Sequence, residues 1–166
     1  MRYAKIENNS ISNGPGIRVV LWCQGCSLKC KGCHNPETWD PKDGQQFTSK
    51  DIDRIIKLLE PEWIDGITLS GGHPLEYYNI NECTNLCKEL KEKLPNKTIW
   101  LYTGLLWENI KDLPILQYID VVVDGPYIES ERNISLPYCG SNNQRVIDVH
   151  KSLLNNNIML YNNGGV

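Results

Sequence analysis

Three cysteines stand close together early in the chain, at Cys26, Cys30 and Cys33. An iron–sulfur cluster that only carries electrons is normally held by four cysteine thiolates, which saturate every iron. Three closely spaced thiolates can instead hold three irons of a four-iron cube and leave the fourth iron open. A metal position without a protein ligand is where a small molecule binds, as it is in catalytic zinc sites. The spacing therefore predicts a catalytic 4Fe-4S cluster on this loop.

The cysteine loop is accompanied by further distinctive segments, which are Asn13-Gly-Pro-Gly-Ile-Arg18, Cys33-His-Asn-Pro-Glu-Thr-Trp39 and Gly140-Ser-Asn-Asn-Gln-Arg145. With these segments and its C-x3-C-x2-C spacing, the chain resembles the radical S-adenosylmethionine superfamily. Within that superfamily it is similar to the glycyl-radical activases of anaerobic ribonucleoside-triphosphate reductase. The resemblance covers nearly the whole chain, and the combination of segments is more specific than the cysteine spacing alone.

The resemblance implies an oxidoreductase with two cofactors, one 4Fe-4S cluster and S-adenosylmethionine. The methionyl group of S-adenosylmethionine would chelate the open iron. An electron from a reduced flavodoxin-like donor would cleave the compound to methionine and a 5′-deoxyadenosyl radical, which would take a hydrogen atom from a glycine in the C-terminal segment of the large reductase subunit. Because the cofactors supply this chemistry and the protein supplies position, no catalytic residue beyond the cluster and cofactor is expected.

A second motif, Thr68-Leu-Ser-Gly-Gly-His-Pro74, contains two adjacent glycines at the end of a predicted strand. Glycines allow a ligand to approach the main chain closely, because no Cβ blocks it. By resemblance to the family, Gly71 and Gly72 are expected to face the methionyl amino group of S-adenosylmethionine. The third position of this motif is commonly acidic in the family, whereas this chain has His73, whose side-chain role stays open.

The resemblance also implies that the adenine of the cofactor lies near the last cysteine of the loop. The family commonly has an aromatic residue there, whereas this chain has Gly32, so the backbone of Gly32, Cys33 and His34 is expected to line the adenine pocket. A solvated loop position is the alternative for His34. Asp124 ends a predicted strand at the same rim, where it could bond the ribose or help to bind a cation. A capping or turn role is equally open for Asp124.

The chain has seven cysteines, and the four outside the cluster motif suggest other roles. Cys23 lies in an apolar run and is expected to pack as a small buried hydrophobe. Cys83 and Cys87 are four residues apart on a predicted helix and share a face, where packing against a sheet is favoured over metal binding. The role of Cys139 stays open. The odd number of cysteines and the lack of an export signal argue against a disulfide framework.

Length and charge narrow the class of protein. With 166 residues and 40% apolar content, a single domain over residues 1–166 is expected. The formal charge of −3 argues against nucleic acid as a partner, because such proteins concentrate positive charge. No apolar run approaches the roughly 20 residues needed to cross a bilayer. The N-terminus lacks the apolar core of a signal peptide, so no membrane partner and a cytoplasmic location are expected.

Short apolar strands alternate with amphipathic helical stretches, which is typical of α/β proteins with a mostly parallel sheet. Because so few units cannot close an eight-unit barrel, we expect an open, partial (β/α) barrel of the radical S-adenosylmethionine type. The cysteine loop and the glycine motif would meet at the rim where parallel strands end. The predicted strands are Ile17–Trp22, Gly66–Leu69, Thr98–Tyr102, Ile119–Val123 and Ile158–Tyr161. The predicted helices are Ser49–Leu59, Ile80–Leu94, Asn143–Leu154 and, less regular because of Pro114, Trp107–Gln117.

Other functions stay open beside this one. Within enzymes, the chain could activate another glycyl-radical enzyme such as pyruvate formate-lyase, or act as a small radical enzyme on a free metabolite. From a different class, it could be a non-enzymatic interaction module in which Cys23 and the three loop cysteines hold zinc. Zinc sites usually pair two short knuckles separated by a longer spacer, which disfavours that alternative. Iron content against zinc content distinguishes the two classes.

Overall fold

The computed structural model describes residues 1–162, which form one open, mixed sheet of seven strands with four α-helices. This confirms the predicted α/β class. No helix in the described part of the chain is long and apolar enough to cross a membrane. The strands are β1 Arg2–Ser10, β2 Arg18–Cys23, β3 Gln45–Gln46, β4 Gly66–Gly71, β5 Thr98–Tyr102, β6 Val121–Asp124 and β7 Arg145–Asp148. The helices are α1 Ser49–Leu59, α2 Ile80–Lys93, α3 Trp107–Ile110 and α4 Val149–Asn155.

The order of the strands across the sheet is β3-β1-β2-β4-β5-β6-β7. The four central strands β2, β4, β5 and β6 run parallel. Strands β1 and β3 on one side and β7 on the other pair antiparallel, so the sheet is mixed rather than mostly parallel. The parallel strands end at one edge, which is where ligands bind in open α/β sheets. The loops that leave this edge form the candidate site.

Helices α1 and α2 form where the sequence predicted them, and both pack on one face of the sheet. Helix α1 begins at the predicted residue because Thr48 and Asp51 form a capping box, in which the Thr48 N–H donates to the Asp51 carboxylate at 2.8 Å. Helix α2 contributes Cys83 and Cys87 to the core, and both are fully buried. Burial raises the pKa of the Cys87 thiol well above its usual value. These cysteines therefore pack as small apolar groups.

The prediction of a helix over Asn143–Leu154 is wrong in its first half. Strand β7 occupies that part and pairs antiparallel with β6, and helix α4 begins only after it. The β-branched Val146 and Ile147 favour a strand, because their side chains pack well on a pleated surface. Asp148 then starts the helix by accepting the N–H of Lys151 at 3.0 Å.

Both sides of the sheet, outside the four parallel strands, also differ from the prediction. Residues Ile158–Tyr161 do not form a strand, since they make only an isolated bridge from Leu160 to Ile147. Strand β1 was not predicted, because its mixture of polar and apolar residues shows no clear alternation. One domain over residues 1–166 stays a prediction, since residues 163–166 lie outside the described part of the chain.

Arg18 is a fully buried charge at the start of β2, on the face of the sheet opposite the helices. Its guanidinium donates to the Thr68 hydroxyl at 2.8 Å and to the Thr98 hydroxyl at 3.0 Å. It also donates to the carbonyl oxygens of Ile67 at 2.7 Å and Thr98 at 3.0 Å, and lies over the ring of Trp100. Burial lowers the pKa of Arg18 to about 10. Arg18 therefore links β2, β4 and β5 through neutral acceptors.

We expect Arg18→Lys to lower the free energy of unfolding by about 1–3 kcal/mol, because an ammonium cannot reproduce the planar fork that reaches these acceptors. Arg54→Lys is the matched control, since Arg54 is exposed on α1 and should change stability by less than about 0.5 kcal/mol. Chemical denaturation of the reduced protein measures both. Equal stability of the two variants would contradict the linking role of Arg18.

Candidate functional site

A cavity of about 510 Å³ lies where the parallel strands end. The loop cysteines Cys26, Cys30 and Cys33 line this cavity, and so do Gly71, the last residue of β4, and Gly72, which follows it. The cysteine loop follows β2, and β2 and β4 are neighbours in the sheet. The two motifs that are separate in the sequence therefore meet at one cavity.

The cysteine loop is closed by hydrogen bonds within its own backbone. The Gly25 N–H donates to the carbonyl oxygen of Thr38 at 2.7 Å, and the Cys26 N–H donates to that of Trp39 at 3.1 Å. The buried Gln24 side chain donates to two further carbonyl oxygens on the returning segment, at 2.9 and 3.0 Å. Because the two ends of the loop are joined, all three thiols come from one compact segment.

The glycine turn after β4 packs directly against this loop. The Gly72 N–H donates to the carbonyl oxygen of Cys23, and the His73 N–H donates to that of Gly25, both at 2.8 Å. A Cβ on Gly72 would lie 2.5 Å from the Gly25 oxygen, so no other residue fits without displacing backbone. Gly71 has a φ of +94°, which glycine adopts without strain. The contact between the two motifs thus requires both glycines.

Backbone N–H groups lie beside two of the three thiols, those of Cys26 and Cys33. Burial raises the pKa of the Cys26 thiol, and hydrogen bonds from the amides of Leu28 and Lys29 partly oppose that rise. The Asn35 N–H lies 3.4 Å from the Cys33 Sγ. Donors of this kind stabilise thiolates and tune the potential of iron–sulfur clusters. The chemistry of the donor set therefore fits a cluster held by thiolates.

The zinc alternative requires Cys23 as a fourth ligand, but that residue is fully buried in the core. Its Sγ lies 3.8 Å from the Sγ of Cys83 on helix α2. Within residues 1–162, no three Cys, His, Asp or Glu side chains lie close enough together to hold a single metal ion. In a four-iron cube each thiolate binds a different iron, so the thiolates stand farther apart than around a single ion. The burial of Cys23 therefore disfavours a zinc site made of four cysteines.

His73, the third residue of the glycine motif, is buried and lines the cavity. Its Nε2 lies 2.8 Å from the Thr103 hydroxyl at the end of β5, and its Nδ1 lies 3.6 Å from Glu76 Oε1. Burial lowers the pKa of His73, although the Glu76 carboxylate partly opposes that effect. The imidazole is therefore neutral near pH 7 and does not supply the negative charge that the resemblance implies at this position.

Glu76 contacts the cysteine loop, which sequence reasoning missed. Its Oε1 accepts hydrogen bonds from both the N–H and the hydroxyl of Ser27, each at 2.6 Å. Burial would raise the pKa of Glu76, but the hydrogen bonds from Ser27 outweigh that effect and lower the pKa. Glu76 is therefore a carboxylate at neutral pH. The only indication of this role in the sequence is that Glu76 lies three residues after His73 of the glycine motif.

We expected Asp124 to contact the cofactor, but its side chain does not line the cavity. It is fully buried and accepts the N–H of Trp107 at 2.7 Å, at the start of α3. Its other hydrogen bonds come from the guanidinium of Arg145, which also pairs with Glu108. The cavity wall at this point is formed by Gly125. Of the two roles open for Asp124, the capping role is the one that these contacts support.

The residues expected around the adenine are divided between the cavity and the surface. Cys33 and His34 line the cavity, whereas Gly32 is exposed and lies beside the Glu129 side chain. The His34 ring packs edge-on against Tyr127, with 5.8 Å between centroids, and Tyr127 also lines the cavity. Aromatic faces suit a planar base. Sequence reasoning missed Tyr127, because it comes from the distant loop after β6.

The chain is similar to one described domain family and to several curated proteins. The family described as "4Fe-4S single cluster domain" matches residues 12–147. The anaerobic ribonucleoside-triphosphate reductase-activating protein of Enterobacteria phage T4 is 43% identical over 148 residues, which cover 88% of this chain and 93% of the phage protein. Proteins of the same name from Vibrio cholerae and Escherichia coli K12 are each 37% identical, over 87% and 88% of this chain and 96% and 97% of their own lengths.

We expect Gly72→Ala to lower the free energy of unfolding by about 2 kcal/mol, because the new Cβ would meet the backbone oxygens of Gly25 and Thr38. Gly104→Ala is the matched control, since its Cβ would meet only the flexible end of the Leu28 side chain. Denaturant titration of the reduced apoprotein compares the two variants. A Gly72→Ala protein as stable as the control would show that the turn and the loop are not tightly packed.

Proposed function

Because this chain belongs to the 4Fe-4S single cluster domain family, we propose that it is a radical S-adenosylmethionine enzyme that activates anaerobic ribonucleoside-triphosphate reductase. It would generate a glycyl radical on the large subunit of that reductase. The observation that carries the proposal is the meeting of the three loop cysteines with the paired glycines at one cavity. The shared name of the relatives supports the choice of partner.

The thiolates of Cys26, Cys30 and Cys33 are the proposed ligands of the cluster, and the fourth iron is left for S-adenosylmethionine. Gly71 and Gly72 form the facing wall, where the lack of side chains lets the methionyl group approach the backbone. When bound, the two cofactors supply the one-electron cleavage of S-adenosylmethionine to methionine and a 5′-deoxyadenosyl radical, with the electron taken from a reduced flavodoxin-like donor. The role of the protein is to hold and orient them.

The adenine is assigned to the part of the cavity that His34 and Tyr127 line. These two rings pack edge-on and offer an apolar surface for the base. They would take the place of the aromatic residue that the family commonly has where this chain has Gly32. The backbone of Cys33 and its neighbours would complete this pocket. Asp124 would support the wall from behind, through its bonds to α3 and β7, rather than touch the ribose.

The hydrogen atom to be removed lies on a glycine of another protein, so the cavity has to admit a peptide. The cavity continues from the cysteine loop along the helix-free face of the sheet to Trp22 and Asn13. The exposed Leu28 side chain lies against Gly104 in the lining of this cavity, and covering such an apolar side chain would favour the binding of a peptide. We propose that the open sheet works as a partial barrel whose lateral mouth receives the C-terminal segment of the reductase.

A cytoplasmic location of the protein is part of the same proposal.

Each of Cys26→Ala, Cys30→Ala and Cys33→Ala should reduce the cleavage of S-adenosylmethionine to background, because each removes one of three thiolates that hold the cluster. Anaerobically reconstituted wild-type protein should be brown and contain about four irons. Chromatography of methionine and 5′-deoxyadenosine after chemical reduction measures the cleavage. Cys139→Ala, a partly buried thiol outside the loop, is the control and should retain it. Cleavage by any loop variant, or colourless protein with one zinc, would contradict the proposal.

The choice of partner is tested by electron paramagnetic resonance. Reduced, reconstituted protein incubated with S-adenosylmethionine and an anaerobic ribonucleoside-triphosphate reductase should give the doublet of a glycyl radical. The same protein with pyruvate formate-lyase should give no doublet, because the relatives that support the partner bear the name of the reductase. A doublet with pyruvate formate-lyase but not with the reductase would contradict the proposed partner and indicate an activase of pyruvate formate-lyase.

A further inference from the structure

The bond between Glu76 and Ser27 joins the cysteine loop to the glycine motif. Ser27 directly follows Cys26, so its two 2.6 Å hydrogen bonds to Glu76 hold the backbone beside that thiol. The Glu76 side chain is nearly buried, and hydrogen bonds to a carboxylate in such surroundings are short and strong. The end of β2 is thus anchored by a charged group that belongs to the connection after β4.

His73 extends this contact to the end of β5. The Leu105 N–H donates to the Thr103 hydroxyl oxygen at 3.1 Å, and the same hydroxyl lies 2.8 Å from His73 Nε2. A neutral imidazole that accepts at Nε2 carries its proton on Nδ1, which faces the Glu76 carboxylate. The polar chain from Thr103 through His73 and Glu76 to Ser27 therefore spans three adjacent strand ends.

The backbone of Glu76 is itself held rigidly. Its carbonyl oxygen accepts the N–H of Asn79 at 2.8 Å and that of Ile80 at 2.9 Å, at the start of α2. The buried Asn79 side chain donates to the carbonyl oxygens of Gln24 at 2.9 Å and His73 at 3.1 Å. The anchor of the cysteine loop is therefore fixed to a helix and to the loop's own first residue.

We propose that Glu76 is a positioning residue for the cluster, which holds the Cys26 arm of the loop against the glycine turn and adds a negative charge beside the Cys26 sulfur. His73 supports Glu76 from the side of β5. This inference rests on the proposed function, because it concerns the cluster that the loop would hold. It assigns no contact with S-adenosylmethionine to Glu76, which acts through Ser27.

The anchor can be tested without any cluster, by amide hydrogen exchange of the apoprotein followed by NMR. Glu76→Ala removes the acceptor of the Ser27 N–H, so exchange of that amide should become at least about tenfold faster. Glu76→Gln keeps an acceptor oxygen and should exchange at close to the wild-type rate. Glu37→Gln, an exposed glutamate of the same loop, is the control and should change nothing at Ser27. A wild-type rate at Ser27 in Glu76→Ala would overturn the proposal.

The charge can be tested in the reconstituted protein, by a redox titration followed by electron paramagnetic resonance. Glu76→Gln should keep the wild-type iron content but shift the midpoint potential of the cluster to more positive values, because loss of a nearby negative charge makes reduction easier. In Glu37→Gln the lost charge is in water and screened, so the shift should be much smaller. A purely structural role would leave the potential of Glu76→Gln unchanged, and that result would overturn the proposal.

Failure of the inference can be told apart from failure of the proposed function. Wild-type protein that takes up no iron would contradict the proposed function, while the exchange rate at Ser27 still decides whether Glu76 anchors the loop. Wild-type protein with a full cluster, together with a Glu76→Ala variant that matches it in exchange at Ser27 or a Glu76→Gln variant that matches it in midpoint potential, would overturn the positioning role alone.

Discussion

The site depends on how closely the turn after β4 approaches the cysteine loop. Two main-chain hydrogen bonds of 2.8 Å, from Gly72 to Cys23 and from His73 to Gly25, leave no space for a side chain between them. Neighbouring parallel strands are about 4.8 Å apart, so the connections that leave β2 and β4 have to share that narrow edge. Glycine at the point of contact is what allows them to do so. The strand order thus places the thiols opposite an exposed stretch of backbone.

Buried charges tie the strands together on either side of this contact. At the start of β2, Arg18 is satisfied by neutral oxygens of β4 and β5. Beyond the far ends of β2 and β4, Glu76 is satisfied by Ser27. At the end of β6, Asp124 is satisfied by Arg145 and the first turn of α3. A buried charge that loses its partner is strongly destabilising, so each of these groups favours one arrangement of its strands. The cavity walls are therefore held from several directions.

Some parts of this structure could be predicted from patterns within a few neighbouring residues. The cysteine spacing, the paired glycines and the periodicity of α1 are read within a few residues, and the structure has the two motifs at one cavity and α1 over its predicted span. The features that sequence reasoning missed or placed wrongly depend on partners far along the chain. Tyr127 faces His34 from another loop, and Asp124 is engaged by Arg145 from an antiparallel strand that had been predicted as a helix. Contacts between residues so far apart in the sequence cannot be predicted from a local pattern.

The closure of the cysteine loop by its own backbone has a consequence for maturation. The bonds from Gly25 to Thr38 and from Cys26 to Trp39 join residues that are near in sequence, so the entropy lost on closing the loop is small. In zinc fingers the metal has to order the chain, and most of its binding free energy appears as folding free energy. Here main-chain hydrogen bonds already close the loop, so ordering these residues would take up less of the free energy of binding when a cluster is inserted.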